Sequence, residues 1–469
     1  MTLLPEGALE AIEEACDRVA QACERAGASE WEISAGQAWG TEVEIERDQI
    51  QLASGGGEGG IGVRILDGGR FGFTFLSFED DATSAVEQAL DIARRSPSIP
   101  EFALPEPTAP SSVEGLYHPE VLDLSVEDLM TSADELIATA KEADPRAVLS
   151  SGGVSTGVSA SHLRSSTGIE SSGLRTMHSI GAQVTINEDD RITSGWESDR
   201  SRGVVSDATD CVNRAAHWAS VTRAVTDATS GTDEAPVLFT SSGFASLFSM
   251  VVPSALLGER IARKESLWAD RFGQEVIAPH LDLVDDRTMP HGFSSSGLDA
   301  EGVATRRRHL VRHGRMQGIM WSTRDAAKAV DQGAFEHAES TGSANRGSQQ
   351  APPSPGAGDL ILTSSERTQD REGLIAEIDE GYLVNSVMGA HTANPSSGDF
   401  SVTTSQILHI SGGSITGALT QAGLTGNVAE ALNGRVILGD ITRPRGSYSS
   451  GTIHLPDLLL GAGIRVNPA

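Results

Sequence analysis

The chain has 469 residues, too many for one ordinary domain and enough for about three. Lysine and arginine number 35 against 65 aspartates and glutamates, a formal net charge of −30, which disfavours direct binding to a phosphate backbone or an anionic lipid surface. With 38% hydrophobic residues the chain can build packed cores, so global disorder is excluded.

From Pro5 to Ala26, Leu9, Ile12, Cys16, Val19 and Cys23 recur at alternating spacings of three and four, one face of a helix. Gly27 is placed to end it. Val43 and Ile45 then alternate with Glu42, Glu44 and Glu46. Ile61, Val63 and Ile65 alternate up to Asp67-Gly68, and Phe71, Phe73 and Phe75 alternate back, an antiparallel hairpin. Asp81 can cap a second helix whose Ala82, Ala85, Val86, Ala89, Leu90 and Ala93 share a face. Residues 99–120, with Pro100, Pro105, Pro107, Pro110 and Pro119, read as a linker.

A second unit repeats the logic: a helix over Leu129–Glu142, short strands within 147–196, including a hairpin from Ile180–Ile186 into Asn187–Asp190, and a helix over about Ser206–Val221. After a polar stretch at 226–234 comes a strand, Pro236–Thr240, and a helix with Phe244, Leu247, Phe248 and Val251 on one face. Ser340–Gly358, rich in Ser, Gly, Pro, Asn and Gln, reads as a mobile surface loop. The expected fold class is therefore α+β. Two-layer N-terminal units with antiparallel sheets, residues 1–110 and 111–228, precede a larger β-rich domain, 229–469.

No apolar run is long enough to span a bilayer. The acidic N-terminus lacks the pattern of a signal peptide, so a cytoplasmic location is expected. Cys16 and Cys23 lie seven apart on one helix, roughly 10 Å along its axis, beyond disulfide reach. With Cys211 they read as buried reduced thiols.

Chemistry-bearing motifs are sparse. Gly57-Glu58-Gly59-Gly60-Ile61-Gly62 matches a dinucleotide fingerprint, but it leads into a strand and puts Glu58 where a phosphate would sit, so a flexible glycine hairpin is expected. His309 and His313 could share a face, but three arginines precede them and no Asp or Cys stands beside them in sequence, so no metal is expected there. His280, Asp282, Asp285, Asp286 and His291 form the densest polar cluster, with Pro279 before His280 and Pro290 before His291, and offer a weaker reading as an enzyme centre. There is no H-E-x-x-H or C-x-x-C.

Several segments together resemble the TldD/PmbA family, historically called modulators of DNA gyrase and described as two-subunit metallopeptidases. They are Gly59–Leu66, Asp67–Thr74, Gly273-Gln274, Val284–Asp286, Glu301–Arg306, Thr341-Gly342, Gly398–Phe400 and Gly426-Asn427, in family order across nearly the whole chain. The resemblance implies a catalytic branch with His-Glu-x-x-x-His on a helix and a late cysteine around zinc. Here Ser249, Met250 and Ser254 stand at those positions, no cysteine follows Cys211, and the late region reads Arg445-Gly446-Ser447-Tyr448. That pattern is similar to the PmbA/TldE branch. It implies a chain with no catalytic residue, metal or cofactor of its own, working with a zinc-bearing TldD-like subunit to enclose and position a peptide or unfolded protein. Phe244, Phe248, Val251, Asp399 and Phe400 are the candidate peptide-binding or interface residues. The alternative is a stand-alone, homodimeric peptide-binding or scaffold protein. Neither reading includes nucleic acid or membrane as a partner.

Overall fold

A computed structural model describes residues 4–188, 191–226, 234–447 and 451–468. The first helix, α1 (Ala8–Arg25), ends as its sequence requires: Gly27 takes φ +69° and the Ala28 amide reaches back to the Cys23 carbonyl. Strands β1 (Glu30–Glu46), β2 (Gln49–Asp67) and β3 (Arg70–Leu76) follow, then α2 (Ala82–Arg95), whose first turn is capped by Asp81 accepting from the Thr83 and Ser84 amides. The same order returns in α3 (Val126–Ala143), β4 (Ala147–Ser165), β5 (Glu170–Glu188), β6 (Arg191–Ser201) and α4 (Ala208–Val221).

The two units expected on either side of residue 110 share one sheet of order β3-β2-β1-β4-β5-β6, joined by the antiparallel pair β1/β4 over Glu32–Glu46 and Ser151–Ser165. Helices cover one face. Ile12, Cys16, Val19 and Cys23 of α1 pack with Ile33, Ile61, Val63 and Val86 under the first half. Leu129, Leu136, Val212 and Ala215 pack with Val154, Ile180 and Val184 under the second. The hairpin expected after Ile180–Ile186 forms, though Asp189 and Asp190 lie outside the described residues.

The glycines at 55–60 are not a hairpin. They lie inside β2, with Gly40 opposite Gly56 and Gly36 opposite Gly60 on β1. A Cβ on Gly57 would sit 2.8 Å from the Trp39 ring, so glycine there clears an indole across the ladder.

The polar stretch expected at 226–234 falls mostly on 227–233, outside the described residues. Beyond it, β7 (Val237–Phe239), α5 (Ser241–Ala255) and α6 (Gly258–Ala262) open the third region. Next come β8 (Leu281–Asp286), β9 (Arg307–Arg312), β10 (Arg315–Met316), α7 (Thr323–Asp331), β11 (Ala344–Asn345) and β12 (Ser354–Pro355). They are followed by β13 (Asp359–Ser364), α8 (Arg371–Ala376), β14 (Glu380–Val384), β15 (Asp399–Thr404), β16 (Ile407–Ser411) and β17 (Ser414–Ala418). The last elements are β18 (Ala422–Asn427), α9 (Val428–Asn433), β19 (Val436–Gly446), β20 (Thr452–Leu460) and β21 (Ile464–Pro468). Among the described residues a ten-stranded mixed sheet runs β10-β9-β8-β13-β20-β7-β14-β16-β17, with β19 on β20, beside a small β15-β18-β21 sheet. The fold is α+β, with a β-rich third region.

That third region docks on the helix-free face of the first sheet, at one end. Arg64 of β2 is buried between Glu32 of β1 and Glu301, and the second Glu301 oxygen accepts from the Thr323 amide and hydroxyl at the start of α7. Arg346 also pairs with Glu32, and Gln349 accepts from the Ser34 hydroxyl at 2.9 Å. The segment 340–358 is therefore an anchored hairpin and not the mobile loop expected from its composition. Two of its polar residues, Arg346 and Gln349, are docking contacts.

Candidate functional site

Helix α5 is where the resemblance places catalytic chemistry. Thr240 caps it by accepting from the Gly243 amide, and donates in turn to Asn385 Oδ1 at 2.8 Å. Gly243 lets the first turn lie against β14, since a Cβ would meet the Val384 carbonyl at 2.6 Å. The rest of the helix is apolar all round and buried, which marks an internal helix.

Ser249 and Ser254 are buried, and Met250 packs against the core of this region. The Ser249 hydroxyl donates to the Ser246 carbonyl at 2.9 Å. Two hydroxyls and a thioether are not the donor set of two imidazoles with a carboxylate base, so these residues do not fit zinc. The three cysteines do not complete such a site, because all lie in the first sheet and its helices, where burial pushes each thiol up to about 12. Tyr448 of the late region lies outside the described residues.

Phe244, Phe248 and Val251 are fully buried in the core of the third region, and Phe400 is buried with them. They offer no surface to a peptide in this structure. Asp399 is exposed at the start of β15, where it accepts from the Ser397 hydroxyl and the Asn427 amide, two bonds that hold its carboxyl below the usual range. The His280–His291 cluster is dispersed. His280 Nε2 meets the Val436 carbonyl at 3.0 Å, while His291 Nδ1 faces His118 Nε2 at 3.1 Å. Asp285 is buried between Arg287 and Arg308 and accepts from the Gly358 amide. His309 and His313 do have a carboxylate beside them, Asp282, at 3.5 and 3.7 Å. β8 brings it there from across the ladder. Among the described residues, no three His, Cys, Asp or Glu side chains converge as a metal site.

A cleft of about 440 Å³ opens at the start of α5, between α4 and the β19/β20 ribbon. Asp457 accepts from the Ser241 amide at 2.9 Å and from Arg371 Nε at 2.7 Å. Arg445 donates to the Ser241 hydroxyl and reaches Glu197 at 3.5 Å. Burial depresses the Arg445 guanidinium, and Glu197 only partly restores it. Arg214 goes the other way. Burial opposes its charge, but Asp199, Glu197 and Asp210 together hold its pKa above the usual value. Trp218 and Ile441 add apolar wall. The cleft thus combines paired charges with an aromatic side. Sequence reading did not mark it, because its charges come from β6, α4, α8, β19 and β20.

The chain matches three family models in succession: PmbA/TldA metallopeptidase domain 1 over residues 31–93, the central domain over 119–223 and the C-terminal domain over 232–462. It is 25% identical over 428 residues to an uncharacterised protein of Methanocaldococcus jannaschii, covering 90% of this chain and 94% of that one. It is 23% identical over 451 residues to the metalloprotease PmbA of Escherichia coli O157:H7, covering 91% of each. The crystal structure of TldE from Thermococcus kodakarensis superposes with a TM-score of 0.85 at 23% identity, over 97% of this chain and 100% of that one. Among the described residues no helix is long and apolar enough to cross a membrane.

Proposed function

Because the chain belongs to the PmbA/TldD family of metallopeptidases, we propose that it is the PmbA/TldE-type partner of a zinc-bearing TldD-like subunit, with no catalytic centre of its own. One observation carries this reading. The helix that would hold His-Glu-x-x-x-His has Ser249, Met250 and Ser254 there, and the Ser249 hydroxyl donates to the Ser246 carbonyl. The general base is missing along with the ligands, and that role alone is worth roughly 10²–10⁴ in rate. In the pair, this chain helps to enclose and position an extended peptide for cleavage by its partner, in the cytoplasm.

The test is metal analysis and peptide hydrolysis on the purified chain, alone and with a TldD-like protein from the same source. The expected outcome is no stoichiometric zinc and no cleavage alone, then zinc-dependent cleavage by a co-purifying complex. Tightly bound zinc with partner-free cleavage overturns it.

A further inference from the structure

The helix-free face of the first sheet is covered at the Glu32/Arg64 end and open at the other. On the open half lies a cleft of about 660 Å³ whose floor is small residues, among them Gly153, Ser155, Ser179 and Gly181. Register fixes its walls. Glu42, Ser155, Ser179 and Arg200 stand in one row across β1, β4, β5 and β6. Three strand spacings separate the ends of that row, about 14 Å. Glu42, Glu44 and Glu46 are exposed on the first wall. Trp196, half exposed, stands on β6 above the floor.

The opposite wall is unusual for this molecule. Three other enclosed arginines meet carboxylates: Arg64 with Glu32 and Glu301, Arg346 with Glu32, Arg308 with Asp285. Arg200, Arg202 and Arg175 meet almost none. Arg202 gives its hydrogen bonds to the Thr176, Gly292 and Phe293 carbonyls, and Arg200 gives one to the Thr452 hydroxyl. Both guanidinium groups lie over the Phe293 ring, at 4.3 and 4.8 Å. Arg175 forms no ion pair among the described residues. Asp359 is the acid that acts on all three, and it is already bound to His454 and Ser295. Burial, then the neighbouring Arg175, brings Arg202 down to about 10. Partly desolvated cations in excess of their counterions are costly unless an anion joins them.

We propose that this open half is a receptor for a short peptide with both termini free, its carboxylate at Arg200 on the cleft wall, where the charges of Arg175 and Arg202 add to the field, and its ammonium group toward Glu42 and Glu44. Opposite charges on facing walls select a zwitterion over a simple anion. At roughly 3.3–3.6 Å per extended residue, the row spans about four residues. The inference rests on the peptidase reading only for the choice of peptide, and its test needs no proteolysis.

Tetra-alanine is titrated into the full chain at low salt, with calorimetry and Trp196 fluorescence as readouts, using free, C-terminally amidated and N-terminally acetylated forms. The free peptide should bind, amidation should weaken it about tenfold, and acetylation should weaken it by a smaller factor. Arg200→Gln should cut free-peptide affinity about tenfold while leaving the amidated form unchanged. Glu44→Gln, on an exposed side chain that does not threaten folding, should reproduce the effect of acetylation. Equal binding of all three forms, or none at millimolar peptide, overturns the proposal. So does inorganic phosphate displacing the peptide at equal concentration, which would mark an anion site only. Cleavage by the complex with a TldD-like partner, together with any of these, would leave the proposed function standing and this receptor rejected.

Discussion

One face of one sheet carries two clusters of arginine, and they are built on opposite principles. At the covered end Arg64 and Arg346 are enclosed with Glu32 and Glu301, so every guanidinium has a carboxylate and the cluster fastens two parts of the chain. At the seam with the open half, Arg175, Arg200 and Arg202 share the single carboxylate Asp359. The first arrangement is closed and complete. The second leaves Arg200 on the wall of an open cleft. In a chain of net charge −30 there is no shortage of acids to pair with them, so the imbalance is a property of that place.

Substitutions that break this contrast rank by how completely each group is enclosed. Arg64→Ala should cost about 3–5 kcal/mol in urea unfolding, because it leaves Glu301 buried without a cation and Glu32 with Arg346 alone. Asp299 is next. Burial first, then neighbouring Glu301, raises its carboxyl to about 6, while three backbone amides favour its charged form. The native state therefore holds a proton that the unfolded chain releases near pH 4. This term makes stability fall as pH rises from 4 to 6, by about 1–3 kcal/mol. Asp299→Asn lacks it, so its deficit against wild type should shrink over that window, and unfolding curves at both pH values would show the change. Gln349→Ala removes the bond to Ser34 and should cost about 1 kcal/mol. Arg175→Met should cost nothing or stabilise by up to about 1 kcal/mol, since it relieves repulsion and breaks no pair. A loss as large as that of Arg64→Ala would erase the contrast.

The elements whose signals are local were legible in the sequence. The three-four spacing from Leu9 to Cys23, the alternation on both sides of Asp67-Gly68 and the Asp81 cap each predict what forms. What failed depends on partners far along the chain. Gly57 reads as a turn residue because Trp39, which requires it, lies across a ladder. Arg346 and Gln349 read as loop because Glu32 and Ser34 are more than 300 residues away. Separation along the chain also hid the arginine seam. Arg200 and Arg202 stand two apart at the end of β6, but nothing local announces that Arg175 joins them. Residues 249–254 are a different case. There the informative signal was a substitution within a known pattern, and burial in the structure adds that the serines are not facing a cleft.

The β1/β4 pairing also sets a schedule for synthesis. Residues 32–46 cannot complete their ladder until 151–165 exist. A ribosome adding about 5–20 residues per second exposes β1 for roughly 5–25 s before its neighbour leaves the tunnel. During that interval the first helices and hairpin carry a long unpaired edge, which other nascent chains could join. Glu42, Glu44 and Glu46 lie along the stretch that waits, and their charges repel a second copy of the same edge. The residues offered above to a ligand's ammonium group would thus have an earlier task, keeping newborn chains apart.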